Sequence, residues 1–167
     1  MGLPYNVPSA LFRSWEMLEI GDSAPHFQII STRGKPLGLD QVRGPNGTLL
    51  LFYPKGLGGC CGDQSPSRVI TEHVSQIRSL GFEPLAIVPD ECLSAVEFLA
   101  SLSLPFGIAI DGKNEVHAAY GAFFHGTDTP RRLTVLVDSD GRISYCATGG
   151  PGIESLLKQL RSSPALV

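Results

Sequence analysis

The longest uninterrupted apolar stretch of the chain is Leu49-Leu-Leu-Phe-Tyr53, entered from Thr48 and closed by Pro54. A continuous run, as opposed to an alternating one, is the pattern of a central strand covered on both faces, and proline ends it because it has no N–H to donate. Further on, Ser65 stands as an N-cap with Pro66 at the first helical position, and Val69, Ile70, His73, Val74, Ile77 and Leu80 recur at helical spacing up to Gly81. The pattern then predicts a strand over Phe82 to Val88, a helix from about Glu91 to Leu102 capped by Asp90, and a short strand near Phe106 to Ile110.

Leu133-Thr-Val-Leu-Val137 and Ile143 to Cys146, joined by Asp138-Ser-Asp-Gly141, read as a β-hairpin, and a last helix is expected over Ile153 to Arg161. Before the central strand, Gly21 to Pro25 and Gly34 to Asp40 read as turns, with a short strand at Phe27 to Ser31 between them. Strands that alternate with helices imply parallel pairing and an α/β class. Adding the antiparallel hairpin and the terminal helix predicts a thioredoxin-like fold, a central mixed sheet flanked by helices. Residues 1–20 carry no sustained period and read as an N-terminal extension, which leaves residues 21–167 as one thioredoxin-like domain.

Composition narrows the function more than the fold. At 167 residues and 43% hydrophobic the chain can fill one sizeable core. The net charge is -3, and Arg131-Arg132 is the only adjacent basic pair, so no footprint for nucleic acid or an anionic membrane is present. The apolar runs fall far short of the roughly 20 residues of a membrane helix. Residues 1–15 show neither a basic stretch followed by an apolar core nor a small-residue cleavage site, so a soluble, cytoplasmic protein is expected. Of the four cysteines two are neighbours, which fits a thiol active site in a reducing compartment better than a disulfide framework.

That pair, Cys60-Cys61, lies in the loop Gly56-Leu-Gly-Gly-Cys-Cys-Gly62, between the buried strand and the next helix. Backbone N–H groups and the positive helix end converge at such a place and favour a thiolate. A cysteine with pKa near 8.5 is about 3% ionised at pH 7, whereas a pKa of about 6 makes it roughly 90% ionised, a ~30-fold gain for a nucleophile. The competing reading is that small residues fill a tight turn and the thiols are inert. A metal site is a weaker rival, because vicinal cysteines do not both reach one ion comfortably and no Cys-x-x-Cys or nearby histidine completes a set of four.

Five segments carry a more specific likeness. Met17-Leu-Glu-Ile-Gly-Asp-Ser-Ala-Pro-His-Phe27 resembles the opening G-D-x-A-P-x-F of the alkyl hydroperoxide reductase and thiol-specific antioxidant family within the peroxiredoxin superfamily. Phe52-Tyr-Pro-Lys55 resembles its F-Y-P-K, and counting P-x-x-x-T/S-x-x-C from Pro54 reaches Cys61, whereas Cys60 would need proline at Tyr53. Asp111-Gly-Lys-Asn-Glu-Val-His-Ala-Ala-Tyr-Gly121 is similar to D-x-x-x-x-v-x-x-x-Y-G, and Arg132-Leu-Thr-Val-Leu-Val-Asp138 to R-x-T-F-V-I-D. The likeness runs from about Gly21 to Gly141 and is nearest to the bacterioferritin-comigratory-protein branch. It implies thiol-dependent peroxide reduction, an antioxidant redox centre in which Cys61 attacks the peroxide. Arg132 holds the thiolate and polarises the transferred oxygen, and Pro54 shields the sulfenic acid.

The chain departs from that pattern within the loop. Gly58 replaces the motif threonine or serine, Gln64 replaces the acid three residues after Cys61, and Pro66 interrupts the helix start. A hydrogen bond to a charged group contributes about 1.5–3 kcal/mol, so the missing hydroxyl corresponds to roughly 10- to 150-fold in rate. The two usual resolving positions are Pro66 and Leu99, which leaves Cys60 and Cys92 as candidates. A Cys60–Cys61 bond is strained, because adjacent Cα atoms are about 3.8 Å apart and disulfides prefer about 4.4–6.8 Å. Cys146 reads as core, His73 and His117 as structural, and His125 as a residue that could line the site.

The leading expectation is a thiol peroxidase for hydrogen peroxide or organic hydroperoxides, regenerated by a thioredoxin-like or low-molecular-weight thiol, with no cofactor and no metal. A homodimer is an assembly this reading allows. Two alternatives stand beside it: a thiol–disulfide oxidoreductase or redox sensor using Cys60 and Cys61, and a non-catalytic module of the same fold.

Overall fold

The computed structural model describes residues 18–30, 35–54, 65–89, 105–127, 129–149 and 152–162. The expected helix over 91–102 and the cysteine loop lie outside the described residues, as does nearly all of the expected extension. In chain order the elements are β1 (Gln28–Ile30), β2 (Pro36–Gly38), β3 (Gly47–Phe52), α1 (Ser65–Ser79), β4 (Phe82–Val88), β5 (Gly107–Ile110), α2 (Glu115–Ala119), β6 (Leu133–Asp138), β7 (Ile143–Thr148) and α3 (Ile153–Ser162).

Five strands form the main sheet in the order β5-β4-β3-β6-β7. The β3–β4 and β4–β5 pairs are parallel, and β3–β6 and β6–β7 are antiparallel, so β3 is the strand at which the sheet changes sense. All six residues of β3 are buried, as its unbroken apolar run requires. Alternation along β3 divides the core in two. Leu49 and Leu51 pack with Ile70, Val74 and Ile77 of α1 and Leu156, Leu157 and Leu160 of α3. Leu50 and Phe52 face the other way, onto Val116, Ala119 and Tyr120. The result is the mixed α/β layering expected from the sequence.

Thr48 is the polar residue of this strand, and its hydroxyl donates to the Val42 carbonyl at 2.6 Å. Gly47 has φ +140°, and a Cβ placed there would run into the Val137 carbonyl oxygen of β6. At the end of the β3–β4 connection, Gly81 follows α1 with φ +88° and donates its N–H to the Arg78 carbonyl at 2.9 Å, the left-handed residue that ends many helices.

The expected turn over Gly34 to Asp40 needs correction. Pro36–Gly38 pairs antiparallel with Gln28–Ile30, and the chain turns after it, where Val42 N–H donates to Gly38 O at 3.1 Å. A Pro-Leu-Gly tripeptide has turn composition, and only its pairing partner makes it a strand. Smaller shifts occur elsewhere: the hairpin's second strand runs two residues beyond Cys146, to Thr148, and Phe106 is a buried bend before β5.

Candidate active site

The C-terminal ends of the parallel strands and the start of β6 meet at one edge of the sheet. Phe52, the last residue of β3, is the Cα partner of both Ile87 in β4 and Leu133 in β6. Pro54 stands two residues beyond Phe52 and Arg132 one residue before Leu133, so both occupy this edge and both are half-buried. The Arg132 carbonyl accepts the Gly149 N–H at 3.1 Å, which ties this start of β6 to the end of β7. Gly58, Cys60, Cys61 and Cys92 lie outside the described residues. Pro54 and Arg132 are therefore the two predicted site residues whose common location the structure describes.

Beneath Pro54 lies a buried polar chain that links three strands. The Tyr53 N–H donates to the Ile87 carbonyl at 3.0 Å, and the Tyr53 carbonyl is 3.0 Å from Nε2 of His117. The other ring nitrogen, Nδ1, is 2.8 Å from Oδ2 of Asp111, and the same oxygen accepts the His117 backbone N–H at 2.7 Å. Asp111 itself follows β5 and donates its N–H to the Val88 carbonyl at 2.6 Å. The imidazole meets Phe52 edge-on, with centroids 5.1 Å apart at 81°.

A carbonyl can only accept, so Nε2 of His117 carries a hydrogen.

His117 thus has the structural placement expected of it, on a short helix, but its link to Tyr53 is not legible in the sequence, because the partner is 64 residues away. His73 is half-buried on α1, and His125 is exposed in the turn that Thr127 N–H closes on Phe124 O at 3.0 Å. Cys146 is half-buried on β7 and packs against the core below the sheet. Burial pushes its thiol up to about 11, and the charge of Arg131 opposes that rise. Arg131 Nη2 donates to the Gly121 carbonyl at 3.1 Å, so the first arginine of the pair serves the fold beside the predicted active arginine.

A cavity of about 440 Å³ opens near the opposite end of β3, lined by His26, Asp40, Arg43, Thr48, Asp138 and Asp140 among others. It does not reach Pro54 or Arg132 and is not this site. No helix among the described residues is long and apolar enough to cross a membrane.

Known proteins resemble this chain in sequence and in fold. Residues 20–146 match the AhpC/TSA family. A Coxiella burnetii protein that bears the provisional name peroxiredoxin bcp is 30% identical over 137 residues, which cover 76% of this chain and 86% of that protein. The thiol-disulfide oxidoreductase ResA of Bacillus thuringiensis subsp. konkukian is 28% identical over 151 residues, covering 90% of this chain and 82% of its own. Among solved structures, the peroxidoxin BcpB of Mycobacterium tuberculosis superposes with a TM-score of 0.74 at 18% identity, over 88% of this chain and 98% of that one. That likeness shows the thioredoxin-like fold of the peroxiredoxins.

Proposed function

The chain belongs to the AhpC/TSA family, and from that premise we propose that it is a thiol-dependent peroxidase reducing hydrogen peroxide or organic hydroperoxides through Cys61. The observation that carries the assignment is the count from Pro54. The proline follows the central strand at the edge where Arg132 precedes β6, and the P-x-x-x-x-x-x-C spacing from it ends on Cys61.

In the first step the Cys61 thiolate attacks the terminal peroxide oxygen. An S–O bond forms as the O–O bond breaks, the leaving alkoxide or hydroxide takes a proton to become an alcohol or water, and the sulfur is left as a sulfenic acid. Arg132 stabilises the thiolate and the charge that grows on the departing oxygen. One external thiol then condenses with the sulfenic acid, releasing water and forming a mixed disulfide. A second thiol exchanges onto it, restoring Cys61 and leaving an oxidised disulfide product. Cys60 and Cys92 are the internal thiols that could take the first of these roles. Gly58 supplies no hydroxyl to the reacting oxygen. A cytoplasmic setting, a thioredoxin-like or small-thiol reductant and a homodimer belong to the same proposal.

Reduced protein is expected to consume hydrogen peroxide or an organic hydroperoxide, Cys61→Ser to abolish this and Cys146→Ser to retain it. Unchanged turnover in Cys61→Ser refutes the proposal. The ResA relatives favour a second reading, a thiol–disulfide oxidoreductase or redox sensor built on Cys60 and Cys61. Peptide mass mapping after mild oxidation separates the two: a Cys60–Cys61 disulfide supports the second, and a sulfenic acid on Cys61 the first.

A further inference from the structure

We propose that His117 is a positioning residue for the cysteine loop, because its Nε2–H, donated to the Tyr53 carbonyl, sets the plane of the Tyr53–Pro54 peptide and so the direction in which the chain leaves β3. Tyr53 is held from both sides. Its N–H is tied to Ile87 of β4, and its carbonyl, 3.0 Å from His117, is tied to the segment after β5. The next torsion is fixed by the Pro54 ring, near φ of about −65°. Successive backbone torsions between β3 and the loop are thus set by groups outside the loop itself.

Tyr53 is 3% exposed and His117 0%, so the hydrogen bond is shielded from bulk water. Loss of the imidazole removes the bond that orients the peptide plane Pro54 shares. His117 is in turn oriented by Asp111 through two contacts to one carboxylate oxygen, by the Phe52 ring and by its own carbonyl, which accepts the Ala122 N–H at 2.8 Å. The placement of Pro54 therefore depends on a relay running from Val88 through Asp111 and His117.

The effect on rate rests on the peroxidase reading, whereas the hydrogen bond and the placement of the loop do not. A displacement of about 1 Å at a reacting centre lowers the rate by as much as 100-fold. His117→Leu removes the donor, and His117→Gln keeps an N–H that can reach the carbonyl. With both variants folded and assayed below their melting temperatures, His117→Leu is expected to slow oxidation of Cys61 by peroxide about tenfold or more and His117→Gln to stay within about threefold of the parent. The KM for the reductant is expected to stay unchanged in both. A folded His117→Leu that reacts at the parent rate overturns the proposal.

Should His117→Leu fail to fold, the unmodified protein decides. Imidazole ¹⁵N spectra are expected to show a protected Nε2–H coupled through the hydrogen bond to the Tyr53 carbonyl carbon, and an unprotonated Nε2 overturns the proposal. If the parent protein consumes no peroxide, the peroxidase reading fails alone. Loop placement is then read from the rate at which iodoacetamide alkylates Cys61: a change in His117→Leu that His117→Gln does not share supports it, and equal rates in all three overturn it.

Discussion

The charge of the Arg131 guanidinium opposes the effect of burial on the Cys146 thiol of β7. Burial drives the thiol up from 9.0 to about 11, and the neighbouring positive charge draws it down by less. A thiol at about 11 is roughly 0.01% ionised at pH 7. The cysteine whose location the structure describes is therefore a poor nucleophile at neutral pH.

Cys146 is accordingly expected to resist alkylation by iodoacetamide in the folded protein at neutral pH and to react on unfolding. Arg131→Gln removes the charge that favours the thiolate, so it is expected to raise the thiol further and slow alkylation at pH 9 to 10. Mass mapping of alkylated peptides reads both. Faster labelling of Cys146 in Arg131→Gln contradicts the electrostatic relationship.

The same shift makes stability depend on alkaline pH. Because the folded-state value lies above 9.0, the fold favours the protonated thiol. Its contribution is fully present below pH 9 and is lost as pH rises toward 11, where the unfolded chain releases the proton first. Two pH units correspond to about 2.7 kcal/mol for a fully shielded group, and the partial exposure of Cys146 cuts this to about 1 kcal/mol. Denaturant titrations at pH 7 and 10.5 are expected to show Cys146→Ala losing less stability than the parent over this interval.

Gly58→Thr restores the hydroxyl of the family motif. It is expected to accelerate oxidation of Cys61 by roughly 10- to 150-fold, the equivalent of a charged hydrogen bond of about 1.5–3 kcal/mol. Stopped-flow measurement of sulfenic acid formation tests this, and an unchanged rate means that another donor already serves the thiolate.

Gly47→Ala brings two penalties together, a side chain at φ +140° and a Cβ against the Val137 carbonyl oxygen. The substitution is expected to destabilise the protein by about 3 kcal/mol or more in urea unfolding. A loss below about 1 kcal/mol shows that β6 can move aside.

The parts of the fold legible in the sequence are those with a long local signal. Leu49 to Tyr53 announces a doubly covered strand, and Ile70, Val74 and Ile77 mark the buried stripe of α1. Pro36–Gly38 carries no such signal, because three residues of turn composition become a strand only beside Gln28–Ile30. At the site, Pro54 and Arg132 are found by motif spacing and share one edge of the sheet. The bond from His117 to Tyr53 escapes any local reading, since it depends on how the segment after β5 folds back over β3. Signals carried by local spacing can be read along the chain; a contact assembled across the sheet cannot.

The full burial of β3 has an evolutionary consequence. Its six residues, together with the two-sided anchoring of Tyr53, commit the scaffold before the cysteine loop begins. Substitutions beyond Pro54 are then expected to bear on reactivity more than on folding. A lineage could trade the motif hydroxyl for Gly58, or gain a second thiol at Cys60, while inheriting the same chassis. The chain's likeness both to a peroxiredoxin bcp and to ResA accords with such a modular division of labour.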